Sequence, residues 1–322
     1  MEKETNNELE SRLEIMPTPE VVVQDEPGMR LWGIAQKAAD KQYDKKEYPI
    51  VEDIEDYFSE RPLPRAVIQK IQEYQKVNEE AVFWISLAYN HLERIDLVKK
   101  EIISHKSWIT NIDDLINGVH AVMREVENSL DADIQEKIQG AVLTDLSAKE
   151  RIHDQLTADI TEIINFYKLS PETNIKQAVL TTANFFTPKN SGRGLSVGED
   201  QYLFCHATNR DNMRHEFSHG FINDMVHELD QKLFEEQKNK IVLLAGDWLK
   251  YGNDYGEYWE SLLDEELIRT YVDCYSKRQQ LKMTPLRTLV YKLYEDYDVA
   301  KETDPQLRFK QFLLTEFPKR LW

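Results

Sequence analysis

From Val67 through Ile71 to Tyr74 the apolar positions return every three or four residues, the step that lines one face of an α-helix. The pattern predicts a helix from Ala66 to Tyr74. Asn78, followed by Glu79 and Glu80, reads as the N-cap of a second, more apolar helix from Ala81 to Leu97, with acids in its first turn. Further helical stretches follow near 107–129, 133–144 and 147–168, and Ser170-Pro171 closes the block. Charges spread through these segments fit solvated outer faces. Upstream, Leu31–Ala35 opens an amphipathic segment and Ile50–Phe58 a short helix, before the break at Arg61-Pro62-Leu63-Pro64. Residues 1 to about 28 are polar and carry Pro17, Pro19 and Pro27, so a flexible or loosely docked arm is expected there. Val21-Val22-Val23 offers one short strand within it.

The periodicity changes between 172 and 206. Ile175–Phe186 holds Val179, Leu180, Thr181, Thr182, Phe185 and Phe186 without a helical stripe, and Leu195–His206 alternates through Leu195, Val197, Tyr202 and Phe204. Both predict strands of a small sheet, with Thr187–Gly194 as the turn-rich loop between them. A buried helix is expected from about Asn209 to Gln237, entered through Thr208 with Asp211 three residues on, its apolar face carried by Phe217, Phe221 and Met225. Ile241–Trp248 follows, then a loop, Lys250–Gly256, with two glycines and two tyrosines. A helix is predicted from about Glu257 to Lys277, a break at Thr284-Pro285, and helices near 286–300 and 305–317. The expected class is α+β, predominantly helical. Its organisation would be an arm over 1–28, a helical region over 29–170, and a region over 171–322 in which the small sheet precedes the helix at 209.

Composition narrows the partners. Charged residues make up 30% of the 322 positions and no run of about 20 apolar residues occurs, so no membrane span is expected. The net charge of −18 disfavours nucleic acid and anionic membrane surfaces. Two cysteines, Cys205 and Cys274, exclude a disulfide framework and a Cys-x-x-Cys zinc site, and both read as small buried apolar residues. The polar opening Met1–Asn6 has no apolar signal-peptide core. That fits a cytoplasmic protein, and equally an exported one supplied without its leader.

The helix expected at 209 carries the chemistry. His215-Glu216-Phe217-Ser218-His219 is a His-Glu-x-x-His sequence. On a helix the two histidines lie four apart on one face, where both imidazoles can bind one zinc ion. Glu216 then stands beside a zinc-bound water as general base. Two histidines in a buried helix are costly unless something binds them.

A catalytic zinc commonly takes three protein ligands and keeps one position open. A third histidine in the pattern His-Glu-x-x-His-x-x-Gly-x-x-His is excluded, because Ile222 and Met225 occupy those places. The other source is a glutamate on a later helix, and Glu260, Glu265 and Glu266 are available. Glu265 shares a mostly apolar face with Leu262, Ile268, Arg269 and Val272 and ranks first. Glu260 and Asp264 have the spacing of a ligand followed by a histidine-orienting acid, and Glu266 neighbours Leu262, Leu263, Arg269, Thr270 and Asp273.

These residues resemble the gluzincins, zinc peptidases built on His-Glu-x-x-His plus Glu. More closely they resemble a bacterial domain-of-unknown-function family grouped with zinc peptidases. The shared segments are His215–His219, Phe221-Ile222-Asn223, and Trp259 followed by Glu265-Glu266-Leu267-Ile268-Arg269-Thr270, and the match covers 205–275. The resemblance implies a zincin-like core, Glu265 as third ligand, and hydrolysis of a peptide or protein substrate. Tyr251, Tyr255, Tyr258 and Arg269 are candidates for a donor to the oxyanion, and His206 and His227 are further ones. Arg269, one turn beyond Glu265, also suits pairing with that carboxylate or with Asp273. The strand from Leu195 to Phe204 is the candidate edge for extended substrate backbone. Alternatives from other classes are an inactive zinc-binding protein, a helical interaction module, and a zinc hydrolase acting on a non-peptide amide.

Overall fold

The structure is a computed structural model that describes residues 14–39, 49–106, 108–182, 192–205, 209–246, 259–277 and 284–322. Among the described residues it is predominantly helical, α+β, with one small four-stranded sheet. No helix among the described residues is long and apolar enough to cross a membrane. Two compact units divide the chain, and neither follows the contiguous regions 29–170 and 171–322. One takes Pro19–Ile160 and Ile175–Gly220; the other takes Met1–Thr18, Thr161–Asn174 and Phe221–Trp322.

The first unit begins with β1 (Glu20–Asp25), so the valine triplet of the expected arm is a strand. It is followed by α1 (Pro27–Ala39), α2 (Pro49–Glu60), α3 (Arg65–Leu87), α4 (Ile95–His105), α5 (Ile112–Ser129), α6 (Ala132–Leu146) and α7 (Lys149–Tyr167). The helix start expected at Asn78 is absent: α3 runs straight through it. An N-cap residue only begins a helix where the preceding turn lets go, and here Ile71 and Ala81 are buried in one core, which rewards continuing. The break comes instead after Leu87. Where the sequence does punctuate, the caps work as expected. Asp131 accepts from the Ile134 amide at 3.1 Å to open α6.

The helices pack closely enough for single atoms to matter. Gly28, in the first turn of α1, faces the Ser86 carbonyl of α3, and a β-carbon built on it would lie 1.9 Å from that oxygen. Replacing Gly28 by Ala must therefore push two helix backbones apart. Loss of about 1–3 kcal/mol is expected, read as a lower urea midpoint with an unchanged slope.

Three strands return later in the chain: β2 (Gln177–Thr182), β3 (Gly192–Val197) and β4 (Asp200–Cys205). The sheet order is β1-β2-β4-β3, with β1 parallel to β2, β2 parallel to β4, and β3 antiparallel to β4. The single strand expected from Leu195 is thus a hairpin. Gly198 takes φ +62° at its turn, a conformation glycine adopts without strain. The expected loop residues Gly192 and Gly194 belong to β3. Burial of β2 and β4 on both faces suits inner, mostly parallel strands. Tyr202 and Phe204 point to the helical core, where Phe204 stacks on Phe83 of α3.

The remaining elements are α8 (Arg210–Asp230), α9 (Glu235–Ala245), α10 (Trp259–Arg269), α11 (Pro285–Thr303) and α12 (Phe309–Arg320). The division between the units falls inside α8. The helix expected to reach Gln237 stops at Asp230, and the one expected to reach Lys277 passes at Thr270–Tyr275 into a π-helical turn. In the second unit an aromatic cluster fills the core. Tyr167, Tyr271, Tyr294 and Phe309 are buried and in ring contact, with Tyr167 and Tyr294 hydroxyls 3.0 Å apart. The Tyr294 hydroxyl donates to the Leu267 carbonyl at 2.9 Å, tying α11 to α10.

Candidate metal centre

α8 is preceded by Asn209, whose side-chain oxygen accepts from the Asn212 amide at 3.1 Å; Thr208, the expected cap, lies outside the described residues. The first turn is pinned through Arg210 and Arg214, which both reach the fully buried carboxylate of Asp159 on α7. Met213, Phe217 and Phe221 are buried along the helix, while His215 and His219 are only partly covered. Apolar anchoring on one side and two imidazoles on the other follow directly from the 3.6-residue repeat.

The two imidazoles converge. Their Nε2 atoms are 3.2 Å apart. Two zinc–nitrogen bonds of about 2.0–2.1 Å at a tetrahedral angle place the nitrogens about 3.3 Å apart, so the pair fits one ion. A carboxylate oxygen of Glu265 completes the group, and all three ligand atoms lie within 4.8 Å of one another. Two nitrogens and one carboxylate oxygen are the donor set of a zinc that keeps a place for water. Beside it on α10, Asp264 is held from α8. The Asn223 amide, with its nitrogen turned toward Asp264, donates to both carboxylate oxygens at 2.7 and 2.9 Å. This bond ties α10 to the end of α8 that belongs to the same unit. Arg269 donates from Nε to Glu265 Oε2 at 2.7 Å and orients that carboxylate.

The rival acids go elsewhere. Glu266 is more buried than Glu265, at 3% exposure, and is clamped by Arg287 of α11 through Nε at 2.8 Å and Nη2 at 3.3 Å. Burial raises its pKa and Arg287 opposes that rise. Glu260 is half-exposed and, like Glu266, is not a member of the group. Replacing Glu266 by Gln should therefore leave zinc content unchanged. It strands the Arg287 charge, at a cost of about 3–5 kcal/mol, read by urea unfolding beside metal analysis.

Glu216 is buried at 5% exposure and lies against the sheet. Cys205 of β4 is fully buried next to it. Its thiol pKa is pushed up well above the ordinary value by burial and then by the charge of Glu216, and it is not in the ligand group. His227 is exposed further along α8. Tyr251, Tyr255, Tyr258 and His206 lie outside the described residues. Sequence reasoning missed Gln201, Gly192 and Gly194, which meet Glu216 from the sheet. The legible signal was Gly192-x-Gly194, since glycine within a strand marks a close approach of another backbone.

Compared with protein-family models, curated proteins and solved structures, the chain matches none.

Proposed function

We propose that this protein is a zinc-dependent peptidase of gluzincin type, with His215, His219 and Glu265 as ligands and Glu216 as general base. The observation that carries the reading is the convergence of three ligand atoms within 4.8 Å, with Glu216 buried on the same helical turn. Zinc, when bound, supplies an acidified water and an electrophilic contact for a carbonyl oxygen. Glu216 accepts the proton as water attacks the substrate carbonyl, and passes it to the departing amine. Arg269 keeps Glu265 from turning away.

The sheet supports an extended substrate. β3 ends the sheet, and the two-residue turn at Gly198-Glu199 makes Val197 and Asp200 a ladder pair. By strand alternation, Ser196, Gly194 and Gly192 turn their amides and carbonyls away from β4. The Ser196 carbonyl already accepts from Trp84 Nε1 at 3.1 Å. The main-chain groups of Gly192 and Gly194, closest to Glu216, are the ones to which peptide backbone would add. The test is zinc content of the purified chain, followed by a peptide-library digest with Glu216→Gln as control. About one zinc per chain and cleavage that depends on Glu216 are expected. A wild-type chain that takes up no zinc, even on reconstitution, overturns the proposal.

A further inference from the structure

Gln201 is a polar side chain sealed inside the first unit at 2% exposure, on the face of β4 that looks toward α8. A buried amide is costly unless its donors and acceptor are used. Here each end has a partner of a particular kind. Nε2 donates to the main-chain carbonyl of Glu216 at 3.3 Å, and Oε1 accepts from Ser196 Oγ of β3 at 2.7 Å. One side chain thus joins the inner strand, the edge strand and the helical turn that carries the proposed base.

The neighbouring positions are bare where this bridge needs room. A β-carbon on Gly220 would lie 2.6 Å from Gln201 Oε1, and one on Gly194 would lie 2.3 Å from the Glu216 carbonyl oxygen. A β-carbon on Gly192 would lie 2.8 Å from Glu216 Oε1 and 2.9 Å from its Cγ. The carboxylate of Glu216 therefore rests directly over the backbone of β3. Its distance from that strand is set by the amide bridge on one side and the missing side chains on the other. A purely apolar contact would let the helix slide along the sheet. A hydrogen bond to the carbonyl of one particular residue fixes the register.

We propose that Gln201 is a positioning residue, which holds the Glu216 carboxylate at a set height over the edge strand β3 where substrate backbone lies. The proposal rests on the peptidase reading of Glu216. It adds that the sheet, beyond α8 itself, decides where the base stands. A displacement of the base by about 1 Å is enough to cost on the order of 100-fold in rate.

The experiment compares wild type with Gln201→Met, which keeps length and burial but loses both hydrogen bonds, and with Ser196→Ala, which removes only the bond that orients the amide. Zinc content is measured first, then kcat and KM on a peptide cleaved by wild type in a Glu216-dependent way. Expected for Gln201→Met is zinc retained at one per chain, kcat lower by about 10- to 100-fold and KM unchanged, with a smaller fall in kcat for Ser196→Ala. In the metal-free chain, the carbonyl carbon resonance of Glu216 should move upfield in Gln201→Met, as for a carbonyl that has lost a donor. A wild-type kcat in Gln201→Met, a rise confined to KM, or an unmoved Glu216 resonance overturns the positioning role while leaving the peptidase intact. Should Gln201→Met fail to fold, Ser196→Ala decides, and an unchanged kcat there overturns it. A wild-type protein without zinc or Glu216-dependent cleavage overturns the peptidase reading, and the proposal with it. The Glu216 resonance then separates that failure from an absent Gln201 contact.

Discussion

His219→Ala is expected to purify without zinc, and the wild-type chain with about one zinc per molecule. The two imidazole nitrogens are 3.2 Å apart and within 4.8 Å of the Glu265 carboxylate, so removal of either histidine leaves two donors where three are needed. Glu265→Ala should lose the metal as well, while Glu260→Ala should keep it. Arg269→Leu lies between these extremes. It frees the Glu265 carboxylate without removing it, and the loss of such an orienting partner costs about 10- to 100-fold in metal affinity. Stability supplies an independent reading. Zinc at about a thousand times its dissociation constant adds roughly 4 kcal/mol to the folded state, so it should raise the melting temperature of wild type and leave His219→Ala unmoved. Zinc retained in Glu265→Ala but lost in His219→Ala would place the third ligand elsewhere on α10.

The helical class was legible from periodicity, and the closeness of the candidate histidines was legible for a local reason. His215, Glu216 and His219 lie within one and a half helical turns, so local periodicity alone places them side by side. Glu265 needed a tertiary judgement. Its apolar helix neighbours favour it, yet the most buried glutamate of the three is Glu266. Burial there is matched by Arg287, a residue 21 positions away whose approach no facial pattern on α10 announces. Glu265 is partly buried, and among the described residues its carboxylate is grouped with the two histidines, within 4.8 Å. The hairpin at Gly198 was hidden for the opposite reason. Leu195 and Val197 are odd-numbered and Tyr202 and Phe204 even-numbered, and only the direct pairing of Val197 with Asp200 across the two-residue turn brings all four to one face. The continuity of α3 through Asn78 shows core packing overriding a local stop signal. Gln201 could not be read at all, since its partners come from β3 and α8 and only folding brings them together.

Glu216→Gln is expected to keep one zinc per chain and lower kcat by about 100- to 10,000-fold, the range of a positioned general base. The substitution is nearly isosteric, which matters here. Glu216 is buried, and its Oε1 and Cγ lie less than 3 Å from the point a Gly192 β-carbon would occupy, so a larger group would disturb β3. The amide retains that shape and lacks the basicity. Because Glu216 is not one of the three proposed ligand residues, metal content should not follow the rate. KM should change little, since the missing interaction is one made as the proton moves. Gly192→Ala offers the complementary perturbation. It keeps the carboxylate and displaces it, so it should also lower kcat with zinc retained. A Glu216→Gln protein that cleaves peptide at the wild-type rate would remove Glu216 from the reaction. A Gly192→Ala protein at the wild-type rate would remove only the requirement for its present position over the strand.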